Sequence, residues 1–495
     1  MSTADHITDD LRLAELAEQA LARPPDQPAV EYQTRWTDWG AMRQLADDLH
    51  AVLASRGLGA GTAVAFVPRN RPAALAALLG LIAARHTVRM IYAFQSAAAI
   101  ARNLERRRSA AVVMHLEDVD DTLRAALHAQ GIVGIALDGM RLSCFTAAAT
   151  PADAVASLPP QIEILTSGTT GAPKPFAVSY ELILKHHIGA MADLSRELPT
   201  LLYFPLGNIT GIYSTIPPLL KNQRVVLLDK FSVAGWHDYV RRYRPQASGL
   251  PPAGLQMVLD AGIPPEDLAS LRRLGTGAAA LDPSVQRAFE QHYGIPVLLS
   301  YGATEFGGPV TAMTLELHAE WGERKFGSVG RALPGVQLRV TDPDSGALLP
   351  EGREGVLEVV SPRIGPHWIR TSDIALIDED GFVFHRGRAD GAIMRGGFKL
   401  LPETIERALL LHPAVSAAAV AGVADARLGQ VPAVAVVLRP DVQAPTAAEL
   451  ECHLRQHLPA THIPTRWRFV DALPRTPSFK VDLAALRRLL HDPRV

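Results

Sequence analysis

Short apolar segments alternate with longer alanine- and leucine-rich segments, and this alternation limits the folds open to the chain. Ala63–Val67 and Ala111–Met114 have the length of buried strands, whereas Trp39–Leu53 has the spacing of an amphipathic helix. Strands that helices cover on both faces read as continuous apolar runs. The alternation therefore predicts an α/β fold in which crossover helices connect parallel strands. It resumes after Thr170, with further strand candidates at Leu201–Phe204, Val225–Leu228 and Val297–Ser300.

Changes in the sequence pattern divide the chain into regions. Its 495 residues are too many for one ordinary hydrophobic core. From Gly327 to Phe384, short strand patterns alternate with Gly, Pro and Asp turns, which predicts a small β-barrel. After Asp390 the pattern predicts a compact α+β unit with helices at Pro402–Leu411 and Thr446–Leu458 and strands at Ala417–Val420 and Ala433–Leu438. We predict a large N-terminal domain (1–388) of stacked α/β subdomains plus that barrel, followed by a small mobile C-terminal domain (389–495).

Composition excludes several classes of protein. The formal net charge is -2, from 49 basic and 51 acidic residues, which gives no indication of a nucleic-acid or acidic-membrane partner. Two cysteines, Cys144 and Cys452, cannot form a disulfide framework and favour a reducing compartment. The apolar stretch Ala73–Ala84 is too short to span a bilayer, and the acidic N-terminus lacks the features of a secretion signal. We therefore expect a cytoplasmic protein with no membrane span.

The densest chemical signal is Leu165-Thr-Ser-Gly-Thr-Thr-Gly-Ala-Pro-Lys174, which follows an apolar strand candidate. Its glycines let the backbone approach an anion, and its hydroxyls and ammonium donate to phosphate oxygens. The kinase-type P-loop is excluded because Lys174 lies three residues beyond the second glycine and precedes a proline. A surface turn is the alternative that this segment alone leaves open. The predicted phosphate loop comprises Thr166, Ser167, Gly168, Thr169, Thr170, Gly171 and Lys174.

Five further segments follow the loop: Gly275-Thr-Gly-Ala-Ala279, Tyr301-Gly-Ala-Thr-Glu305, Thr371-Ser-Asp373, Gly387-Arg-Ala-Asp390 and the C-terminal Leu473–Asp482, which contains Lys480. Together with the loop they resemble, in order, the signature segments of the adenylate-forming superfamily. This superfamily includes acyl-CoA synthetases, firefly luciferases and peptide-synthetase adenylation domains. The chain is most similar to a carboxylic acid:CoA ligase, and the resemblance covers nearly its whole length.

The resemblance implies a site for ATP and Mg²⁺. Tyr301 would stack on adenine, with Gly277, Ala278 and Ala279 alongside. Asp373 would accept hydrogen bonds from both ribose hydroxyls, and Arg388 would contact the ribose, although alone it reads equally well as a surface ion pair. Thr304 would meet the α-phosphate and Glu305 would hold Mg²⁺. These roles suit the residue types, since a hard carboxylate suits a hard cation and an aromatic face suits a base.

The resemblance also implies the catalytic steps. Lys480 would bridge the substrate carboxylate and the α-phosphate, where a cation lowers the barrier to joining two anions. The small domain would then rotate about the hinge at Asp390. Gly396 and Gly397 would line a tunnel for the thiol of coenzyme A (CoA). The implied reaction consumes ATP, a carboxylic acid and CoA and yields acyl-CoA, AMP and pyrophosphate.

The segment Phe204–Gly211 has Asn208 where many acyl-CoA synthetases have a histidine that lines the acid pocket. The pocket candidates are small, apolar or neutral, which favours an aromatic, alicyclic or aliphatic acid: Asn208, Ile209, Tyr213, Gly277 and Gly302. Thr404 replaces a family glutamate and Gly391 an aspartate, and together with Asn208 these departures bear on substrate choice and thioester formation. Ser372 and Phe479 replace family glycines, Ser372 beside Asp373 and Phe479 beside Lys480.

Two alternatives stay open beside the acid:CoA ligase. The first is a stand-alone adenylation enzyme that loads the phosphopantetheine arm of a carrier protein, since the thiol chemistry is the same. The second is a non-catalytic nucleotide-binding protein. The second is disfavoured because the charged residues of the motifs are all present: Lys174, Glu305, Asp373, Arg388 and Lys480.

Overall fold

The computed structural model describes residues 3–146, 158–166, 174–188, 198–389, 391–395, 398–425, 427–440, 442–476 and 480–491. The chain divides into two compact units, Met1–Pro245 and Gln246–Val495, each described by itself below.

The first unit combines two sheets with covering helices. Its strands are β1 (Pro28–Tyr32), β2 (Arg35–Asp38), β3 (Ala63–Val67), β4 (Thr87–Met90), β5 (Ala111–His115), β6 (Val133–Asp138), β7 (Arg141–Cys144), β8 (Gln161–Thr166), β9 (Lys174–Ser179), β10 (Thr200–Leu202) and β11 (Val225–Leu227). Its helices are α1 (Thr3–Leu21), α2 (Trp39–Ser55), α3 (Pro72–Ala83), α4 (Ala97–Arg107), α5 (Asp121–Gln130), α6 (Tyr180–Leu182), α7 (Ile209–Leu220) and α8 (Val233–Tyr243), with a π-helical segment at Ile183–Ile188.

The larger sheet has the strand order β7-β6-β5-β3-β4-β8-β9, and the smaller one β10-β11-β1-β2. In the larger sheet β3, β4, β5, β6 and β8 are parallel, whereas β7 and β9 pair antiparallel at the two edges. Helix α3 begins with a proline in its first turn and is buried along most of its length, which explains its apolar sequence. The sequence alternation thus produces parallel strands with crossover helices, as predicted.

The second unit contains three sheets. Its strands are β12 (Ala247–Gly249), β13 (Arg273–Thr276), β14 (Val297–Ala303), β15 (Gly308–Ala312), β16 (Arg331–Ala332), β17 (Gln337–Thr341), β18 (Glu354–Val360), β19 (Ile369–Ile377), β20 (Val383–Arg388), β21 (Ile393–Arg395), β22 (Phe398–Leu400), β23 (Val415–Asp425), β24 (Gly429–Leu438) and β25 (Arg466–Phe469). Its helices are α9 (Pro252–Asp260), α10 (Pro283–Tyr293), α11 (Leu315–Trp321), α12 (Pro402–Leu410), α13 (Ala447–His457) and α14 (Leu483–His491).

The first of these sheets has the order β12-β13-β14-β15-β16, the second β17-β18-β19-β20, and the third β22-β21-β24-β23 with β25 beside β24. The second sheet is antiparallel and falls in the segment where the sequence predicts a β-rich subdomain. Apolar side chains of α12 and α13 pack on one face of the third sheet, and those of α14 on the other.

The observed mixture of parallel sheets, antiparallel sheets and helices confirms the predicted α/β class with a large N-terminal and a smaller C-terminal domain. The domain limits 1–388 and 389–495 stay a prediction. Among the helices in the described ranges, none is long and apolar enough to cross a bilayer.

Candidate active site

The predicted phosphate loop connects β8 and β9 in the seven-stranded sheet. Because β8 runs parallel to β4, Thr166 at its end lies at the carboxyl edge of the parallel strands, where α/β sheets bind ligands. β9 returns antiparallel, so Thr166 pairs with Lys174 across the two strands. The hairpin therefore fixes both ends of the loop. Ser167, Gly168, Thr169, Thr170 and Gly171 lie outside the described residues.

A buried ion network holds β8 in place just before the loop. Glu163 of β8 accepts hydrogen bonds from Arg89, on the neighbouring strand β4, at 3.1 Å and from Arg107, at the end of α4, at 2.6 Å. Burial lowers the pKa of Arg107, and the carboxylate of Glu163 opposes this shift. Removal of Glu163 would leave two partly buried arginines without their shared carboxylate, so the network stabilises this strand position.

The predicted acid-pocket segment forms the start of α7. The Asn208 side chain accepts a hydrogen bond from the backbone N–H of Gly211 at 2.7 Å and so caps the helix. A Cβ on Gly211 would lie 2.0 Å from the carbonyl oxygen of Pro205, so this position requires glycine. Ile209 is buried in the core, whereas Tyr213 is half-buried and its ring lies 5.7 Å from that of His187. Asn208 thus has a structural role in addition to the predicted substrate contact.

Two glycines shape the backbone around Tyr301 in the second unit. A Cβ on Gly277, which follows β13, would lie 2.6 Å from Oγ of Ser300. A Cβ on Gly302 would lie 2.5 Å from the carbonyl oxygen of Gly308 on β15, at an irregularity in the strand pairing. Ala278 has a left-handed backbone with φ of 67° and is exposed, as is Ala279. The close packing of β13, β14 and β15 therefore requires glycine at both positions.

Asp373 of β19 is 8% exposed, and its carboxylate contacts side chains from two other strands. The phenol of Tyr301 donates to its Oδ2 at 2.5 Å, and Nε2 of His385 lies 3.5 Å from its Oδ1. Burial alone would raise the pKa of Asp373, but the hydrogen bonds from His385 and Tyr301 and the charges of His385 and Arg388 outweigh it and lower the pKa. The carboxylate is therefore held in its ionised, hydrogen-bond-accepting form.

Arg388 ends β20 and is held by its backbone and its side chain. Its backbone N–H donates to Oε1 of Glu403 at 3.2 Å, its Nη2 donates to Oγ of Ser372 at 2.5 Å, and its Nη1 lies 3.8 Å from Asp373. Gly387 has φ of 138°, and a Cβ there would lie 2.5 Å from the Glu403 carboxylate. The serine that replaces the family glycine thus supplies an acceptor for Arg388.

The backbone carbonyl of Lys480 accepts a hydrogen bond from the backbone N–H of Thr476 at 2.7 Å. The side chain is exposed, yet enough protein surrounds its ammonium for desolvation to lower the pKa. Arg388 lowers this pKa further, whereas Asp373 and Glu305 oppose the shift. The charges of these three residues thus all act on Lys480.

Thr304 and Glu305 lie on a short 3₁₀ turn directly after β14, where Thr304 is half-buried and Glu305 is exposed. Tyr301 and Arg388 thus meet at Asp373, and Lys480 lies within range of the charges of Asp373, Arg388 and Glu305, although these residues come from distant segments of the sequence. The predicted hinge residue Asp390, the tunnel glycines Gly396 and Gly397, and Phe479 lie outside the described residues.

Comparison with known proteins identifies the family. AMP-binding enzymes match residues 16–366, and the AMP-binding enzyme C-terminal domain matches residues 404–480. The chain belongs to the AMP-binding enzyme family.

The relatives of this AMP-binding enzyme include CoA ligases. It is 31% identical to the sulfoacetate–CoA ligase of Cupriavidus necator, over 95% of this chain and 96% of that protein. It is 27% identical to 4-coumarate–CoA ligase 3 of Oryza sativa, over 89% and 85% of the two chains. The crystal structure of ATP-bound MatB from Rhodopseudomonas palustris is 25% identical, with a TM-score of 0.80 over 97% of this chain and 99% of that one.

These matches confirm the predicted superfamily and the predicted enzyme class, an acid–thiol ligase that acts through an acyl-adenylate. The roles of individual site residues stay predictions, which the geometry now makes specific.

Sequence reasoning missed two side chains of this AMP-binding enzyme's site. His385 belongs to none of the sequence motifs, and the pairing of β20 with β19 is what brings it to Asp373. Glu403 lies in the segment where Thr404 departs from the family pattern, and its carboxylate holds the backbone of Arg388. A glycine directly before Arg388 was the available signal, because it leaves space for the Glu403 carboxylate.

Proposed function

We propose that this enzyme uses MgATP to activate a small-molecule carboxylic acid and then transfers the acyl group to CoA. In the first step a carboxylate oxygen bonds to the α-phosphorus, and the bond to pyrophosphate breaks. In the second the CoA sulfur bonds to the acyl carbon, AMP leaves with the electron pair, and the thiol proton passes to solvent. The observation that carries this proposal is the convergence of Tyr301 and Arg388 on the buried Asp373, whose charge also acts on Lys480.

The nucleotide-binding role rests on a prepared acceptor. Asp373 is buried and ionised, and a carboxylate can accept more hydrogen bonds than the contacts with Tyr301 and His385 use. Its remaining lone pairs suit the two hydroxyls of a ribose. We assign the adenine to the neighbourhood of Tyr301 and Gly277, and the phosphates to the loop between Thr166 and Lys174 and to Thr304.

Lys480 suits the first chemical step. As a carboxylate approaches the α-phosphate, negative charge concentrates between the two groups, and a fixed cation there lowers the barrier. The exposed side chain of Lys480 keeps access to a ligand, and the charges of Asp373 and Glu305 favour its protonated form against the desolvation. Lys480 is therefore assigned to adenylation and not to thioester formation.

Glu305 is the residue that would hold Mg²⁺. Proteins usually bind Mg²⁺ through one or two carboxylates together with substrate phosphates and water. Glu305 is exposed on the turn after β14, so its carboxylate fits an ion that arrives with ATP. When bound, Mg²⁺ would neutralise charge on the phosphates.

For thioester formation we retain the assignments that come from family resemblance. Asp390 would be the hinge, and Gly396 and Gly397 would line the thiol tunnel. The pocket candidates Asn208, Ile209, Tyr213 and Gly302 are neutral, which favours an aromatic, alicyclic or aliphatic acid. The described relatives named for sulfoacetate and 4-coumarate place both acids in the first panel to be tested.

The experiment measures pyrophosphate release from ATP with a panel of acids, followed by mass spectrometry of the products with CoA or with a holo carrier protein. We expect acyl-AMP without a thiol and acyl-CoA with CoA. If the acyl group were transferred to the carrier protein and not to CoA, the carrier protein would be the acceptor and the CoA part of the proposal would be wrong. ATP binding without pyrophosphate release for any acid would contradict the proposal and favour a nucleotide-binding protein.

A further inference from the structure

The two oxygens of the buried Asp373 carboxylate contact different side chains. Oδ2 accepts a hydrogen bond from Tyr301 at 2.5 Å, and Oδ1 lies 3.5 Å from Nε2 of His385. We propose that His385 is a positioning residue that fixes the plane of the Asp373 carboxylate for the ribose of ATP. This inference rests on the proposed function, because it takes ATP as the ligand and Asp373 as its ribose acceptor.

The sheet determines why His385 reaches this carboxylate. In the pairing of β19 with β20, His385 lies opposite Ala375, two residues from Asp373 and on the same face of β19. An irregularity in the register follows directly, so Arg388, and not Gly387, lies opposite Asp373. The regular pairing thus brings a histidine, and the irregularity an arginine, towards the same carboxylate oxygen.

Arg388 cannot replace His385 in this role. Its nearest nitrogen lies 3.8 Å from Oδ1 of Asp373, which is beyond hydrogen-bond length, and its Nη2 already donates to Ser372. Without His385, no side chain in the described part of the chain would lie within hydrogen-bond distance of Oδ1 of Asp373. The carboxylate would then be held only through Tyr301 on Oδ2 and could rotate about its terminal torsion, which has a broad energy well.

The His385 ring has a second contact that limits its own movement. Its centroid lies 5.8 Å from that of Tyr301, with the two rings inclined by 30°. The side chains that hold the two carboxylate oxygens therefore also pack on each other. Tyr301 and His385 thus form a bracket around Asp373, and a carboxylate fixed in this way strengthens binding by reducing the ordering cost.

The test uses direct binding of nucleotides, so it does not depend on knowledge of the acid. The dissociation constants (Kd) of ATP and of 2′,3′-dideoxy-ATP are measured by calorimetry for the wild type and two variants. His385→Phe keeps an aromatic ring beside Tyr301 but removes the nitrogen donors. His385→Gln keeps a donor N–H at a similar distance from the backbone.

We expect His385→Phe to weaken ATP binding about three- to tenfold, the range for loss of one hydrogen bond, and to leave dideoxy-ATP binding unchanged. His385→Gln should recover at least half of the lost preference for ATP over dideoxy-ATP, measured as the ratio of the two dissociation constants. The matched control is His318→Phe, because His318 lies 3.3 Å from Glu290 with 21% and 19% side-chain exposure, against 22% and 12% for His385 and Asp373. The control should leave both dissociation constants unchanged.

The positioning role alone would be overturned if His385→Phe weakened the binding of both nucleotides equally. It would also be overturned if the variant kept the full wild-type preference for ATP over dideoxy-ATP. A wild type that binds neither nucleotide would overturn the proposed use of ATP together with this inference. A wild type that binds ATP but activates no acid would leave the bracket supported and count only against the proposed reaction.

Discussion

The phenol oxygen of Tyr301 lies 2.5 Å from Oδ2 of Asp373, although 72 residues separate them in the sequence. Burial raises the pKa of Tyr301, and the neighbouring Asp373 raises it further, so the phenol stays a donor at neutral pH. The predicted adenine-stacking residue thus donates a hydrogen bond directly to the predicted ribose acceptor. A change at one residue should therefore affect what the other does.

Tyr301→Phe keeps the aromatic face for adenine but removes the donor to Asp373. We expect ATP to bind about three- to tenfold more weakly, the range for a hydrogen bond, while the maximal rate changes less than twofold. Calorimetry and steady-state kinetics test this. Tyr293→Phe is the matched control, since that phenol donates to the carbonyl of Ile263 at 3.1 Å and should influence folding only. A large loss of maximal rate with unchanged ATP affinity would contradict the assignment.

Lys480→Ala should slow acyl-adenylate formation by about two to three orders of magnitude, the usual effect of removing a group that stabilises transition-state charge. Thioester formation from synthetic acyl-AMP and CoA should remain largely intact, because the proposed charge develops only in the first step. Single-turnover assays of each half-reaction make the comparison. Lys230→Ala, at an exposed position in the first unit, is the control. Equal loss of both half-reactions in a folded variant would refute the separation of roles.

Ser372→Ala removes the acceptor that lies 2.5 Å from Nη2 of Arg388. Arg388 would lose one of its fixed contacts, and we expect the KM for ATP to rise about two- to fivefold with little change in maximal rate. Ser372→Thr keeps the hydroxyl and should behave like the wild type. Ser372→Gly, which restores the family residue, should resemble the alanine variant. An unchanged KM in both would show that Arg388 does not depend on this contact.

The raised pKa of Glu406 predicts that the folding stability of the protein depends on pH. Burial raises its pKa to about 8, whereas in the unfolded chain it ionises near ~4.3. Between these values the folded protein holds a proton that the unfolded chain has lost, so this residue's contribution to stability falls as pH rises. Glu406→Gln cannot ionise and keeps an acceptor for the Val420 N–H, which donates at 2.8 Å.

The free energy of unfolding of Glu406→Gln, relative to the wild type, should therefore increase between about pH 5 and pH 8, by on the order of 3 kcal/mol at ~1.4 kcal/mol per pKa unit. Denaturant unfolding at several pH values measures this difference. Because the difference is taken between two otherwise identical chains, titration of groups that do not interact with Glu406 cancels. A difference that stays constant across this pH range would contradict the raised pKa.

Amino acids should be poor substrates. An α-ammonium brought into a partly dry pocket needs a carboxylate partner, since an unpaired buried charge costs several kcal/mol. The segment Phe204–Ser214 contains no acidic residue, and its polar residue Asn208 caps α7. Pyrophosphate exchange should be at least about tenfold slower with phenylalanine than with 3-phenylpropanoate, if that acid is accepted, which corresponds to ~1.4 kcal/mol. Equal exchange rates with the two acids would overturn this expectation.

Local patterns in the sequence determined most of the secondary structure. The strands at Ala63–Val67 and Gln337–Thr341 and the helix that begins at Trp39 follow from residue spacing, which acts within a few residues. The ends of elements were less predictable. β10 ends at Leu202, although the apolar run continues to Phe204, because its pairing with β11 ends at Leu227. β23 extends to Asp425, because pairing with β24 continues beyond its apolar run.

The sequence by itself also determined the family and the order of its signature segments, because each motif is a short run whose residue types carry its chemistry. Only the tertiary structure decided which side chains meet. His385 reaches Asp373 because the pairing of β19 with β20 places it opposite Ala375, on the same face as Asp373, and Glu403 reaches the backbone of Arg388 because Gly387 leaves space for it. Such contacts depend on strand register and on packing between distant segments. These are properties of the folded chain as a whole, and no local run of residues encodes them.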